Sequence, residues 1–202
     1  MIKQVYLASQ SPRRLELLRQ IGLAPVILPL RHLGQRADVD ETPLPGEKAY
    51  DYVRRLAGIK VEHGQGAMAG RRLPIMPIVA ADTTVTLDGD ILGKPANAAE
   101  AADMLRRYSG RAHTVLTGVG VAYMDRVELA VSESEVWFRS LEEAEIKTYV
   151  DSREPYDKAG GYAIQGRAAV FVERIVGSYT GIMGLPLFET GELLKSVGFN
   201  VL

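Results

Sequence analysis

Apolar residues along the 202-residue chain follow two rhythms: short continuous runs bounded by turn residues, and stripes at three- and four-residue spacing. The first reads as buried strands, the second as helices packed by one face. A strand over residues 2–9 leads through a turn into a helix, with Ser11 in the capping position and Pro12 at the first helical one. Leu15, Leu18 and Ile21 mark that helix's buried face, Gly22 stops it, and Pro25-Val26-Ile27-Leu28 is a short strand. After a loop over 31–45, a helix over 47–63 turns Ala49, Val53, Leu56 and Ala57 inward, and a Gly/Arg-rich loop over 64–74 follows.

Ile78-Val79-Ala80-Ala81 is a continuous apolar strand that ends in Asp82-Thr83-Thr84. Val85-Thr86-Leu87 and Ile91-Leu92 then form a hairpin about Asp88-Gly89. Asn97 caps a helix with Glu100 three residues on; Ala101, Met104, Leu105 and Tyr108 are its core face, and Ser109-Gly110 ends it. Strands over 112–123 and 127–138 come next, then a second capping box, Ser140 with Glu143, opening a helix to about residue 152. A polar loop over 153–161, a strand at Val170-Phe171-Val172 and a last helix between Pro186 and Gly198 complete the chain. The alternation predicts an α/β fold with a mixed sheet, as one domain over 1–202.

Composition narrows the classes. A content of 47% hydrophobic and 24% charged residues is ordinary for a globular domain, and a net charge of −1 steers the chain neither to nucleic acid nor to a membrane surface. Cysteine is absent, which excludes disulfides, thiolate metal sites and a cysteine nucleophile. No apolar run approaches the ~18–20 residues of a membrane span, and residues 1–6 do not open a signal peptide, so a cytoplasmic protein is expected.

Charge placement supplies the candidate chemistry. Arg13 and Arg14 occupy a helix's first turn, where the macrodipole favours anions, and Arg14 stands where a capping box would put Glu or Gln. An anionic ligand such as phosphate would compensate; exposed arginines on an ordinary helix would read the same. Asp38, Asp40 and Glu41 form a carboxylate cluster able to ligate a hard divalent cation, or simply solvated in a loop. Lys60 continues an apolar stripe and is expected to snorkel to water, a ligand-facing role being the alternative. Asp82, at the end of a buried strand, is well placed for chemistry, although a turn residue would look alike. Gly93-Lys94-Pro95 is not part of a P-loop, and His113 has no second histidine at ligand spacing, so a structural role is expected for it. Gly160-Gly161-Tyr162-Ala163-Ile164-Gln165-Gly166 alternates small residues in a way that admits close approach of a planar ligand; a lone tight turn would do the same.

The motifs form an ordered set. Leu7-Ala8-Ser9-x-Ser11-Pro12-Arg13-Arg14, Asp40-Glu41-Thr42-Pro43, Arg55-Leu56-Ala57-x-x-Lys60, Ala81-Asp82-Thr83, Gly93-Lys94-Pro95, Ser109-Gly110-Arg111-x-His113 and Glu154-Pro155-x-Asp157-Lys158-Ala159-Gly160 together resemble the Maf family of nucleoside triphosphate pyrophosphatases over nearly the whole chain. The resemblance implies a fold akin to the inosine triphosphate pyrophosphatases, with two lobes about a central cleft. It also implies a divalent cation, Mg²⁺ or Mn²⁺, and hydrolysis of a nucleoside triphosphate to monophosphate and pyrophosphate. The implied partner is that substrate, without nucleic acid or membrane, and a homodimer is compatible. Ala81-Asp82-Thr83 and Ile164-Gln165-Gly166 resemble the branch acting on dTTP and UTP; the 7-methylguanosine triphosphate branch has Asp-Gln and Glu-Gly at those places, and a tryptophan before the arginines. Arg71-Arg72, which lengthens a loop, and Val61 depart from the family pattern. By resemblance Asp82 is the catalytic base or a metal ligand, Glu41 completes the cation site, and Arg13, Arg14, Lys60 and Lys94 neutralise the triphosphate. Ser9 then donates a hydrogen bond, and Thr83 and Gln165 meet the base. The rival reading is a nucleotide-sensing regulator of septum formation.

Overall fold

The computed structural model describes residues 3–30 and 39–201. The chain runs β1 (Lys3–Leu7), α1 (Pro12–Gln20), β2 (Leu23–Ile27), α2 (Ala49–Gly70), β3 (Ile78–Leu87) and β4 (Asp90–Leu92). It continues through α3 (Ala98–Tyr108), β5 (Ala112–Tyr123), β6 (Arg126–Phe138), α4 (Glu143–Asp151), β7 (Val172–Val176), α5 (Tyr179–Met183) and α6 (Leu187–Ser196), with short 3₁₀ turns between α4 and β7. The seven strands form one sheet in the order β2-β1-β3-β5-β6-β7, with β4 folded back on β3. β1 pairs in parallel with β2 and β3, and the other pairings are antiparallel, which makes the mixed α/β sheet expected from the alternation of elements.

Three apolar clusters divide the long strands between them. On one face Tyr6, Ala8, Ile78, Ala80 and Ala122 pack against Leu56 and Val61 of α2. On the other, Val79, Ala81 and Val119 meet Leu17 and Leu18 of α1 and Leu194 of α6. The far halves of the strands, with Val85, Val115 and Phe138, are covered by α3, α4 and an aromatic group of Tyr108, Tyr162 and Phe171. Along β3 the polar run Asp82-Thr83-Thr84 therefore falls between two cores, and Thr117 does the same on β5.

Several elements differ from the sequence reading. α2 does not end near residue 63 in a loop; it runs on to Gly70. Gly64 is no terminator but a contact point, since a Cβ there would come within 2.9 Å of Ile78 Cγ2. Asp82 does not end its strand, because β3 continues to Leu87. It lies beyond the end of β1, whose pairing with β3 stops at Leu7–Val79, so one edge of β3 opens just before it. Ser11 takes the capping position of α1 but no side-chain cap forms. The second capping box is Glu142 with Glu145, because Glu143 is drawn to Arg106 (2.7 Å) while Glu145 is fixed by Arg139 (2.6 Å). Residues 167–171 are a 3₁₀ turn, the strand beginning only at Val172, and α5 was not anticipated. Asp38 and the loop over 31–38 lie outside the described residues.

His113 has the structural place expected of it. It is buried, stacks on Tyr108 at 4.2 Å between ring centroids, and its Nε2 lies 2.7 Å from the Tyr162 hydroxyl. Burial lowers its pKa from 6.5 to about 3. The unfolded chain therefore binds a proton that the folded one refuses, so the contribution is complete above about pH 6.5 and is lost as pH falls towards 3, with a slope of up to about 1.4 kcal/mol per pH unit. His113→Gln is expected to flatten that acid limb in urea titrations at stepped pH.

The approach of α2 to the sheet is set at Gly118, the register partner of Asp82. A Cβ at Gly118 would lie 2.2 Å from the Val53 carbonyl oxygen, inside the backbone of α2. Gly118→Ala is expected to destabilise the fold by about 1–3 kcal/mol or more, read as a lower unfolding midpoint in urea.

Candidate functional site

The site is built at the break between the cores. Lys60 lies on the buried face of α2 and is 5% exposed; it does not snorkel. Its ammonium is held 2.6 Å from Asp82 Oδ1 and 2.7 Å from Glu41 Oε1, two carboxylates converging on one positive charge. Unpaired, a lysine at this depth would cost several kcal/mol, so the apolar stripe tolerates Lys60 only because the acids meet it.

α2 also carries the side chains that present Glu41. The Tyr52 hydroxyl donates to the Glu41 carbonyl oxygen (2.9 Å), and Arg55 clasps the Glu47 carboxylate at 2.6 and 2.7 Å while reaching the Thr42 carbonyl at 3.3 Å. Burial, with Asp82 and Glu41 nearby, raises the Tyr52 pKa, so its hydroxyl stays a donor. Asp40 is not part of this group: its carboxylate accepts the Thr42 N–H (2.9 Å) at an exposed turn. Among the described residues no three His, Asp or Glu side chains cluster; the two carboxylates on Lys60 are a pair.

Across β3 lies the other half. Arg14 donates through Nε to the Gly184 carbonyl (2.8 Å), through Nη1 to Ser9 Oγ (3.2 Å) and through Nη2 to Thr83 Oγ1 (3.2 Å). Desolvation lowers its pKa, Asp82 opposes that, and a guanidinium remains charged throughout. Ser9 Oγ also accepts the Ser11 N–H (3.2 Å); with both lone pairs engaged, its own proton is what it can offer an anion. Thr117 donates to the Gly181 carbonyl (2.8 Å), so the 2.9 Å contact between threonine hydroxyls must run from Thr83 to Thr117. Thr83 then has only acceptor capacity left for a ligand.

The remaining candidates stand apart. Arg13 makes no hydrogen bond or ion pair among the described residues, though Arg14 and Asp157 both feel its charge. Lys94 is exposed, on a loop tied to the 159–161 turn by the Gly160 N–H to Gly93 carbonyl bond (2.9 Å). Gln165 is exposed at a turn, and its side chain is hydrogen-bonded to none of these residues. Two of the small residues around it are required by packing inside the protein: a Cβ at Gly160 would strike Val85 at 2.4 Å, and one at Gly166 would strike the Glu154 carboxylate at 2.3 Å. Sequence reasoning missed Tyr52 and Thr117. Arg55 stood within a quoted motif without a role, and its spacing with Lys60 on one helix was the available signal.

The family model for Maf-like proteins matches residues 4–197. The chain belongs to the Maf family. Within it, the chain is 53% identical to a dTTP/UTP pyrophosphatase of Dechloromonas aromatica, over 98% of this chain and 100% of that one. It is 54% identical to a dTTP/UTP pyrophosphatase of Aromatoleum aromaticum (97% and 96% covered) and 50% identical to one of Nitrosomonas europaea (98% and 96%). A solved structure of the Staphylococcus aureus Ham1 protein matches this Maf chain at 16% identity with a TM-score of 0.50, covering 94% of this chain and 100% of that one, which is a likeness of fold. Among the described residues no helix is long and apolar enough to cross a membrane.

The two arginines of the Maf motif differ in their ties to the protein, and stability separates them. Arg14→Ala is expected to cost about 1–3 kcal/mol, because it removes three hydrogen bonds, to Thr83, Ser9 and the Gly184 carbonyl. Arg13→Ala should change stability by less than about 0.5 kcal/mol or raise it slightly, since it relieves a charge conflict at a helix N-terminus. Urea unfolding of both variants checks the contrast.

Proposed function

We propose that this chain hydrolyses nucleoside triphosphates, dTTP and UTP above others, to the monophosphate and pyrophosphate. The observation that carries the reading is the Lys60–Asp82 pair set beside Arg14, which supplies one oriented carboxylate among fixed cations. The names of the relatives support this over the 7-methylguanosine branch and over a sensor without turnover.

In this reading Lys60 holds Asp82 by Oδ1 and leaves Oδ2 to take the proton of a water that attacks the α-phosphorus. The new bond is between that water oxygen and the α-phosphorus; the bond to the bridging oxygen breaks, and pyrophosphate leaves with the electron pair. Arg13, the two unused N–H groups of Arg14 and Lys94 neutralise the charge passing to the leaving group, and the Ser9 hydroxyl donates to a phosphate oxygen. In the alternative role for Asp82, it and Glu41 would hold a hard divalent cation such as Mg²⁺ or Mn²⁺, since such ions take one or two carboxylates plus substrate oxygens and these two lie within ion-pair distance of one ammonium. When bound, that cation supplies charge neutralisation and a more acidic water. Thr83, with acceptor capacity only, and the Gln165 amide suit the N3–H and carbonyl edge that uracil and thymine share. The active unit is the single domain, and a homodimer is compatible with it.

Pyrophosphate release from a panel of nucleotides with Mg²⁺ or Mn²⁺ tests the reading. UTP and dTTP should be near equals and CTP poor, because a mispaired buried polar edge discriminates far more than a methyl group does. Asp82→Asn should lower kcat by about 10²–10⁴-fold while nucleotide still binds. Activity within a few-fold of the parent would remove Asp82 from the chemistry, and equal rates on all bases would remove the preference.

A further inference from the structure

The motif that opens at Glu154 is not consumed by the chemistry above, yet the carboxylate of its first residue binds two other segments. Glu154 Oε1 accepts the Tyr149 hydroxyl at 2.9 Å, and both of its oxygens accept the Arg167 N–H, at 3.0 and 3.1 Å. The Tyr149 oxygen in turn accepts the Ala163 N–H at 3.2 Å. The polarity of this chain is fixed: Ala163 N–H to Tyr149 O–H to the carboxylate, met from the other side by Arg167 N–H. Tyr149 is buried, and burial together with Glu154 raises its pKa, which keeps the hydroxyl a donor.

Both anchored N–H groups belong to one turn, and Gln165 sits between them. The turn is closed by the Gly166 N–H to Ala163 carbonyl bond at 3.0 Å. Gly166 does not have a left-handed φ (it is −103°), so flexibility is not what glycine supplies there. Volume is: a Cβ would lie 2.3 Å from Glu154 Oε1 and 2.6 Å from its Oε2. The Gln165 side chain has no hydrogen bond among the described residues to locate it, so the backbone of this turn alone sets where its amide can reach.

We propose that Glu154 and Tyr149 are positioning residues for base selection, a carboxylate–hydroxyl clamp that fixes the 163–167 turn so that the Gln165 amide meets a pyrimidine edge in one orientation. The inference rests on the reading that Gln165 contacts the base. Discrimination through an unpaired polar edge depends on the reading group being held, because an amide free to shift or flip accommodates the wrong base.

The test uses the full chain, steady-state kcat and KM for UTP, dTTP, CTP and GTP, two variants that disturb the clamp, Tyr149→Phe and Gly166→Ala, and one that conserves it, Glu154→Gln. Tyr149→Phe and Gly166→Ala should each lower the UTP-over-CTP ratio of kcat/KM by about tenfold or more, chiefly through KM for UTP and dTTP. Glu154→Gln keeps an acceptor oxygen at the Oε1 position and should retain most of the ratio. Gln165→Ala should collapse the ratio, and adding Tyr149→Phe to it should change the ratio by less than about twofold, as expected for residues acting through one group. If Gln165→Ala collapses the ratio while Tyr149→Phe and Gly166→Ala leave it intact, or slow all four nucleotides equally, the clamp is a structural brace only and the proposal fails. If Gln165→Ala leaves the ratio unchanged, the base-contact reading fails first and the proposal with it. A Tyr149→Phe chain that does not fold leaves Gly166→Ala to decide.

Discussion

An ammonium group buried between two carboxylates governs the rest of this structure. Lys60 has little exposure and no water shell of its own, so Glu41 and Asp82 must stay within ion-pair distance of it. That requirement ties three distant segments together: a loop that precedes α2, the interior of α2 and the middle of β3. It explains why α2 must lie so close to the sheet that only hydrogen fits on the α-carbon of Gly118. It also explains why Tyr52 and Arg55, on the same helix, are spent on holding the loop that delivers Glu41.

The polar residues of the site occupy the gap between apolar clusters. On β3, Ala81 belongs to the cluster under α1 and α6, Val85 to the one under α3 and α4, and the three residues between are polar. A strand that crosses from one core to another passes a place where neither core can cover it. The buried Thr117 hydroxyl there donates to the Gly181 carbonyl and so accepts from the half-buried Thr83, which leaves Thr83 an acceptor.

The order of elements and the mixed α/β class were legible because strand runs and helical stripes differ in period. Asp82, Lys60, Arg14 and Glu41 were legible as a set only through the ordered motifs. Taken singly, Lys60 reads as a snorkelling residue, since the carboxylates that keep it inside come from 19 residues upstream (Glu41) and from |i−j| = 22 downstream (Asp82). Two glycines carry packing constraints that local sequence cannot reveal: Gly64 looks like a helix stop but makes space for Ile78, and Gly166 makes space for Glu154. Thr117 gave no signal at all, being one small polar residue in an apolar strand whose partners are assembled by register.

The bond from Arg14 to the Gly184 carbonyl joins residues 170 apart in the chain. During synthesis the amino-terminal helix therefore emerges long before its anchor, and its guanidinium must wait, hydrated, until the segment carrying α5 has left the ribosome. Gly184 follows β7, so the tie that fixes Arg14 closes only after every described strand of the sheet has been made.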